Sequence, residues 1–213
     1  GSGSVSVAGA TFTDAAGNSN TASSATSISY DTLAPTVSLV RTGSGTLKSG
    51  QTDTITFTLS EAATDFAVGD ITVTGGTLSS FTATSATVYS VVFTPTADTA
   101  TGSGSISVAG ATFTDAAGNS NTASSATAIT YDTLVPTATV SRSYSTPIGV
   151  RANQTITFTL SEASSTFTVD DITVTGGSIS ALTTISSTVY RVLFTPTADT
   201  ASGTATLSVD GAK

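Results

Sequence analysis

Residues 10–26 and 111–127 carry the same seventeen letters, ATFTDAAGNSNTASSAT. No other feature limits the fold of this chain as strongly, because a sequence repeated at a fixed interval must serve the same local structure twice. The interval is 115 − 14 = 101, taken from Asp14 and Asp115. The same shift carries Tyr30-Asp31-Thr32 onto Tyr131-Asp132-Thr133 and TITFTLSEA (54–62) onto 155–163. It also carries DITVTGG (70–76) onto 171–177 and FTPTADTA (93–100) onto 194–201. About two copies of one unit are present, out of phase with the ends. The chain opens inside one copy, runs through a complete one and stops inside another, the framing expected of a window on a longer array. A period near 101 suits one small domain per unit.

Within the unit, apolar residues alternate with polar ones. In TITFTLS (54–60), Ile55, Phe57 and Leu59 occupy every second position, with threonine between them. An extended strand sends successive side chains to opposite faces, so these three share one face and the threonines the other. Ile71 and Val73, Tyr89, Val91 and Phe93, Ile106 and Val108, and Ile129 and Tyr131 repeat the pattern. No stretch shows a helical period. Short strands bounded by Gly, Pro, Asp and Asn, each with one wet face, predict a β-sandwich.

Seven strands are expected in the complete unit, A to G, at 36–42, 53–60, 70–75, 78–84, 87–94, 103–109 and 124–131. In the next unit A to F fall near 137–143, 154–161, 171–176, 179–185, 188–195 and 204–210. The expected domains are an F–G hairpin of a preceding repeat (1–31), a complete repeat (32–132) and a second repeat without its F–G loop and strand G (133–213). Such a hairpin is marginal in water and is expected either to pack on something, such as a neighbouring chain, or to be poorly ordered.

Composition narrows the function classes. The net charge is −8 and only 9% of residues are charged. Nucleic acid, whose phosphates need basic stripes, is a poor partner for this surface. The acidity fits a cation-rich extracellular setting. No apolar run reaches the roughly 18 residues of a membrane helix. There is no His or Cys, so the usual general base and the thiol nucleophile are missing, and the serines and threonines have no evident activating partner. The chain reads as a non-enzyme. A Lys-dependent internal crosslink shared by the repeats is excluded, since Lys48 corresponds to Gly149. Asn153-Gln154-Thr155 fits the N-glycosylation pattern, a weak signal alone.

The strings FTLSEA, DITVTGG, FTPTAD and FTDAAGN, with YDTLAP at the joint, resemble the bacterial immunoglobulin-like repeats of large surface adhesins and biofilm-associated proteins. The likeness covers the whole chain. It implies an all-β fold of tandem seven-stranded immunoglobulin-like antiparallel β-sandwiches, secreted and strung into a stalk. It also implies calcium at the joints, as in several such stalks. The target that the parent protein grips is not implied.

The joints can be argued from strand direction as well. If strand A descends from the N-terminal pole, the B–C and F–G loops lie at that pole beside the incoming linker. Asp31 is in the linker, Glu61, Asp65 and Asp70 are in the B–C loop, and Asp115 and Asn119 are in the F–G loop. The E–F loop, with Asp98, lies at the other pole. There it is expected to face Asp132 and the next unit's Glu162, Asp170 and Asp171. The acids at 14/115, 31/132, 61/162, 70/171 and 98/199 occur in both copies. Carboxylates crowded into a small volume repel one another unless a cation joins them. Oxygen ligands without His or Cys suit Ca²⁺. The expected sites are therefore one near Asp31, Glu61 and Asp115, with Asp70 and Asn119 as further ligands, and one near Asp98, Asp132 and Glu162, with Asp171.

A second reading of each residue stays open. Asp-Ala-Ala-Gly-Asn forms a tight turn without metal, with Asp capping and Gly supplying positive φ. Asp70 and Asp171 also suit strand starts, Asp31 and Asp132 turns before proline, and Glu61 and Glu162 solvated loops. Pro35 and Pro136 restrict the linker whether or not metal binds. The expected function is mechanical: extender repeats of an extracellular stalk, partnered by neighbouring repeats. The alternatives are a filament subunit that exchanges strands with other copies of the chain, and a carbohydrate- or protein-binding module.

Overall fold

The structure, a computed structural model, describes residues 1–144, 148–149 and 153–211. The chain divides into two compact units, 1–134 and 135–213. Among the described residues it is built of strands and two single turns of 3-10 helix.

The first unit opens with a hairpin of β1 (Ser2–Val5) and β2 (Thr26–Ser29). The sandwich follows: β3 (Val37–Arg41), β4 (Leu47–Lys48), β5 (Asp53–Leu59), β6 (Ile71–Thr74), β7 (Gly76–Ala83), β8 (Val88–Pro95), β9 (Gly102–Val108) and β10 (Thr127–Asp132). One sheet has the order β3-β5-β8-β7, the other β4-β10-β9-β6. These are the expected strands A, B, E and D facing G, F and C, the layering of an immunoglobulin-like sandwich.

The alternation seen in the sequence becomes the core. In β5, Ile55 and Phe57 have no exposed surface and Leu59 almost none, while the intervening threonines face outward. Val91 and Phe93 of β8, Ile106 and Val108 of β9, and Ile129 and Tyr131 of β10 close the core from the other strands. At its heart Phe66 meets Tyr89 at 4.9 Å and Phe113 at 5.1 Å between ring centroids, both edge to face. Such pairs add to the gain from burial itself.

One strand was not expected. Within the loop between A and B, Leu47 and Lys48 pair in parallel with Tyr131 and Asp132 of β10. The chain leaves one sheet after Arg41 and joins the other, and Leu47 is buried by the move. Arg41 fixes the crossing. Its Nε donates to Asp53 Oδ2 at 2.8 Å, and other guanidinium nitrogens reach the carbonyls of Gly45 and Ala128.

The second unit repeats the plan with β11 (Ala138–Arg142), β12 (Gln154–Leu160), β13 (Ile172–Thr175), β14 (Gly177–Ile179), β15 (Thr183–Thr184), β16 (Val189–Pro196) and β17 (Thr206–Val209). Expected strand D is broken into β14 and β15, both paired with β16. The core residues Ile156, Phe158, Tyr190, Val192 and Phe194 stand where Ile55, Phe57, Tyr89, Val91 and Phe93 stand in the first unit.

Candidate functional site

The site forms where two loops and a connector meet at one end of the first sandwich. The loop from β9 to β10 contains the twice-written sequence. Asp115 Oδ1 accepts the backbone N–H groups of Ala117 and Asn119, both at 2.8 Å. Gly118 takes φ of 88°, in the left-handed region where glycine is unstrained. Asp14, Gly17 and Asn18 make the same turn in the first hairpin, also around a backbone bond from Gly17 to Asp14. The metal-free reading of this motif as a capped tight turn therefore describes its local geometry in both copies.

Asn121, which the sequence reading passed over, anchors the loop. Its buried side chain accepts from the N–H groups of Thr112 and Phe113 and donates to the carbonyls of Ala109 and Thr122. Both amide hydrogens and the amide oxygen are thereby used. The signal was present in the repeated Asn20 and Asn121, which carry no charge and so escape a search for ligands.

The loop between β5 and β6 is fastened to this turn. Thr64 N–H donates to Thr114 O at 3.0 Å, and Thr114 N–H donates to Asp65 Oδ1 at 2.8 Å. Ala63 forms a bridge with Asp115. This zipper carries Glu61 up to the Asp115 turn.

The connector between β2 and β3 is held from both sides. Thr36 exchanges bonds with Ser60, through the backbone and through the serine hydroxyl. Thr122 N–H donates to Pro35 O at 2.9 Å. The side-chain amide of Asn119 donates to Asp31 O at 3.3 Å and to Asp115 Oδ2 at 2.8 Å.

The result is a trio. Asp31, Glu61 and Asp115 each offer a carboxylate oxygen, and these oxygens lie within 4.8 Å of one another. Asp31 is exposed, Glu61 half-buried and Asp115 buried. Glu61 Oε1 is enclosed with no hydrogen-bond partner. Burial, and then the charges of Asp31 and Asp115, push the Glu61 carboxyl above its usual range. Asp115 is held below the usual range by the Asn119 side chain and the turn's backbone N–H groups, against some desolvation. One partner is thus fixed in its charged form while the other is penalised for carrying charge.

The other expected ligands stand elsewhere. Asp70 is outside the trio. It ends a single 3-10 turn, Val68–Asp70, and its Oδ2 accepts from Ala67 N–H at 2.8 Å. Asp171 does the same in the second unit, accepting from the N–H and hydroxyl of Thr168. Each carboxylate caps the turn that leads into a strand. Asn119 donates its amide to Asp31 O and Asp115 Oδ2, which places it beside the trio. Asp98 is exposed, at φ of 52°, in the loop after β8. The second expected set divides between the two units, with Asp98 and Asp132 in the first and Glu162 and Asp171 in the second. Asp132 is exposed, and Glu162, like Glu61, has an enclosed Oε1 without a hydrogen-bond partner.

The opposite end of the first sandwich contributes Thr133, another residue that the sequence reading missed. It is buried, its hydroxyl donates to Thr96 O at 2.6 Å and accepts from Thr99 N–H at 3.1 Å. Its own N–H donates to Thr99 O at 2.8 Å. The chain leaving β10 is thereby tied to the loop after β8.

Donors of this kind suit a hard cation: three carboxylates, no nitrogen or sulfur ligand, and one enclosed oxygen without a proton donor. Calcium takes six to eight oxygens, and three carboxylates can supply a large part of such a shell. The residues present fit the group.

Fold and site together define a tandem β-sandwich repeat with an acidic cluster where the connector meets the sandwich. The chain belongs to the bacterial Ig-like domain family, whose model matches residues 31–131 and again 132–213. No curated protein and no solved structure matches it. Among the described residues no helix is long and apolar enough to cross a membrane.

Proposed function

We propose that these repeats are extenders in a secreted bacterial surface adhesin, projecting a binding region from the cell, with calcium stiffening their joints. Tandem immunoglobulin-like repeats support the extender role. The calcium reading rests on one observation: the connector, the β5–β6 loop and the β9–β10 loop each send a carboxylate to the same point, and Glu61 Oε1 there has no donor. Asp31, Glu61 and Asp115 would hold the ion. It would neutralise their repulsion and link the connector to both loops, removing conformational freedom where a stalk would otherwise bend.

The test is thermal melting of the chain in calcium and in chelator. Extracellular modules bind Ca²⁺ with dissociation constants of roughly 10⁻⁴ to 10⁻³ M, so 10 mM calcium would stabilise the folded form by about 1.4–2.7 kcal/mol. A rise of several degrees that magnesium does not reproduce is the expected result. Identical melts in calcium and chelator would remove the metal and leave the rod.

A further inference from the structure

Asp53 is not a member of the acidic trio, yet its side chain is only 2% exposed. Its two oxygens hold the chain where it leaves the first sheet. Oδ2 accepts from Arg41 Nε at 2.8 Å, and Oδ1 accepts from Gly43 N–H at 2.9 Å. The Arg41 guanidinium also donates to Gly45 O at 3.1 Å and to Ala128 O of β10 at 3.4 Å. One side chain thus joins β3, β5, β10 and the crossing segment. Just beyond it the hydroxyls of Thr46 and Thr130 meet at 3.1 Å, and β4 pairs in parallel with β10. In the second copy the arginine recurs as Arg142, but Gln154 stands in the place of Asp53. The acid is particular to the first sandwich.

The direction of the strands gives this cluster a mechanical meaning. One connector enters before β3, and another leaves after β10. Tension between them draws β3 and β4 backward along their own axes and draws β10 forward along its axis. Because β4 and β10 are parallel, that tension slides one past the other. Ladder hydrogen bonds run between strands rather than along them. Sliding therefore loads them together, whereas peeling would load them one at a time. β3 slides on β5 in the same way, and Arg41 stands across both sliding surfaces.

A buried ion pair adds little at equilibrium, because the attraction is offset by lost hydration. Separating the partners while they are still enclosed is different, since each charge is then left without its partner and without water. Sliding the strands does this before the core opens to solvent. The pair therefore raises the barrier to separation more than it raises the stability of the folded state.

We infer that Arg41 and Asp53 form a mechanical latch that holds the first sandwich against tension applied through its connectors. The latch uses none of the trio's carboxylates. It is a property of the sandwich whatever the repeats extend, so it holds or fails independently of the calcium and adhesin readings.

The test is unfolding of the full chain under constant load, in chelator. The chain has no cysteine, so handles attached at the exposed positions Thr32→Cys and Val135→Cys load this sandwich alone. Three changes are compared in that background. Arg41→Met/Asp53→Asn removes both charges and leaves an acceptor for Gly43 N–H. Arg41→Lys keeps the charge but loses the planar fork that reaches Gly45 and Ala128. Phe81→Ala trims the core on β7, at the far edge of the sheet from β3. Urea denaturation measures the equilibrium loss of each, and circular dichroism checks that each folds. The double variant is expected to unfold roughly ten- to hundredfold faster under load, the weight of one charge-assisted hydrogen bond in the barrier. Its loss in urea is expected to be smaller than that of Phe81→Ala, which in turn speeds unfolding under load less. Arg41→Lys falls between wild type and the double variant under load. If the double variant does not fold, Arg41→Lys against Phe81→Ala gives the same comparison. Unfolding rates under load that simply follow the urea losses overturn the inference. So does an Arg41→Lys chain that holds as long as wild type.

Discussion

Asn119 and Asp31, 88 residues apart, are joined by a hydrogen bond from the asparagine amide to the aspartate carbonyl at 3.3 Å. The same amide nitrogen donates to Asp115 Oδ2 at 2.8 Å. One side chain therefore holds two members of the acidic trio without using charge. Asn119→Ala is expected to lower the melting temperature in chelator and to weaken the calcium response. Asn119→Asp adds a fourth negative charge near the trio. It is expected to destabilise the chelated protein more than alanine does and to recover more in calcium. Paired melting curves of the three proteins check this order.

Glu61 carries the repulsion. In chelator, Glu61→Gln is expected to melt higher than wild type at neutral pH, because it removes a charge that burial, Asp31 and Asp115 all disfavour. In calcium the order reverses, since the variant has lost a ligand. The same two curves measure both effects, and a variant below wild type in chelator would remove the repulsion.

The pH dependence has a definite sign. The Glu61 carboxyl is raised above its ordinary value of 4.5, so the folded state holds that proton more tightly than the unfolded chain. Its favourable contribution is present below that value and is lost as pH rises through the raised folded pKa. Asp115 is lowered from 3.8, so its contribution is present above that value and lost as pH falls further. The advantage of Glu61→Gln in chelator should accordingly be small at pH 4 and grow towards pH 7. Melting the two proteins side by side over that range reads it directly.

Thr133 tests the other end of the sandwich. Thr133→Val keeps the shape but removes a buried hydroxyl, leaving Thr96 O and Thr99 N–H without that partner. A cost of about 1–3 kcal/mol is expected, measured by urea denaturation. The acidic trio lies at the opposite end, so the calcium-induced shift should be unchanged.

Gly102→Ala places a methyl group against the Tyr131 ring. Overpacking of this kind costs about 1–3 kcal/mol. The double variant Gly102→Ala/Tyr131→Ala should show less than the sum of the two single losses, because the clash disappears with the ring. Urea denaturation of the four proteins gives the coupling.

Strand placement was legible because alternation is a local property. Ile55, Phe57 and Leu59 share a face in any extended backbone, so their letters alone assign them to the core. The 101-residue period then located the same strands in both units, and strand direction was enough to send Asp31, Glu61 and Asp115 to one end. The roles of individual carboxylates were not legible in this way. Asp70 and Glu61 are both loop acids in the sequence, yet Asp70 caps the turn that contains it and Glu61 is left enclosed without a donor. Glu162 is enclosed in the same way in the second unit, and the zipper between Thr64, Asp65 and Thr114, which joins segments about fifty residues apart, is a tertiary contact that no local pattern shows. Parallel pairing of Leu47 with Tyr131 is likewise beyond a local pattern, since two residues cannot display a period. Periodicity sets which way a side chain points, whereas desolvation and the distance between charges depend on which distant loop comes to lie against it.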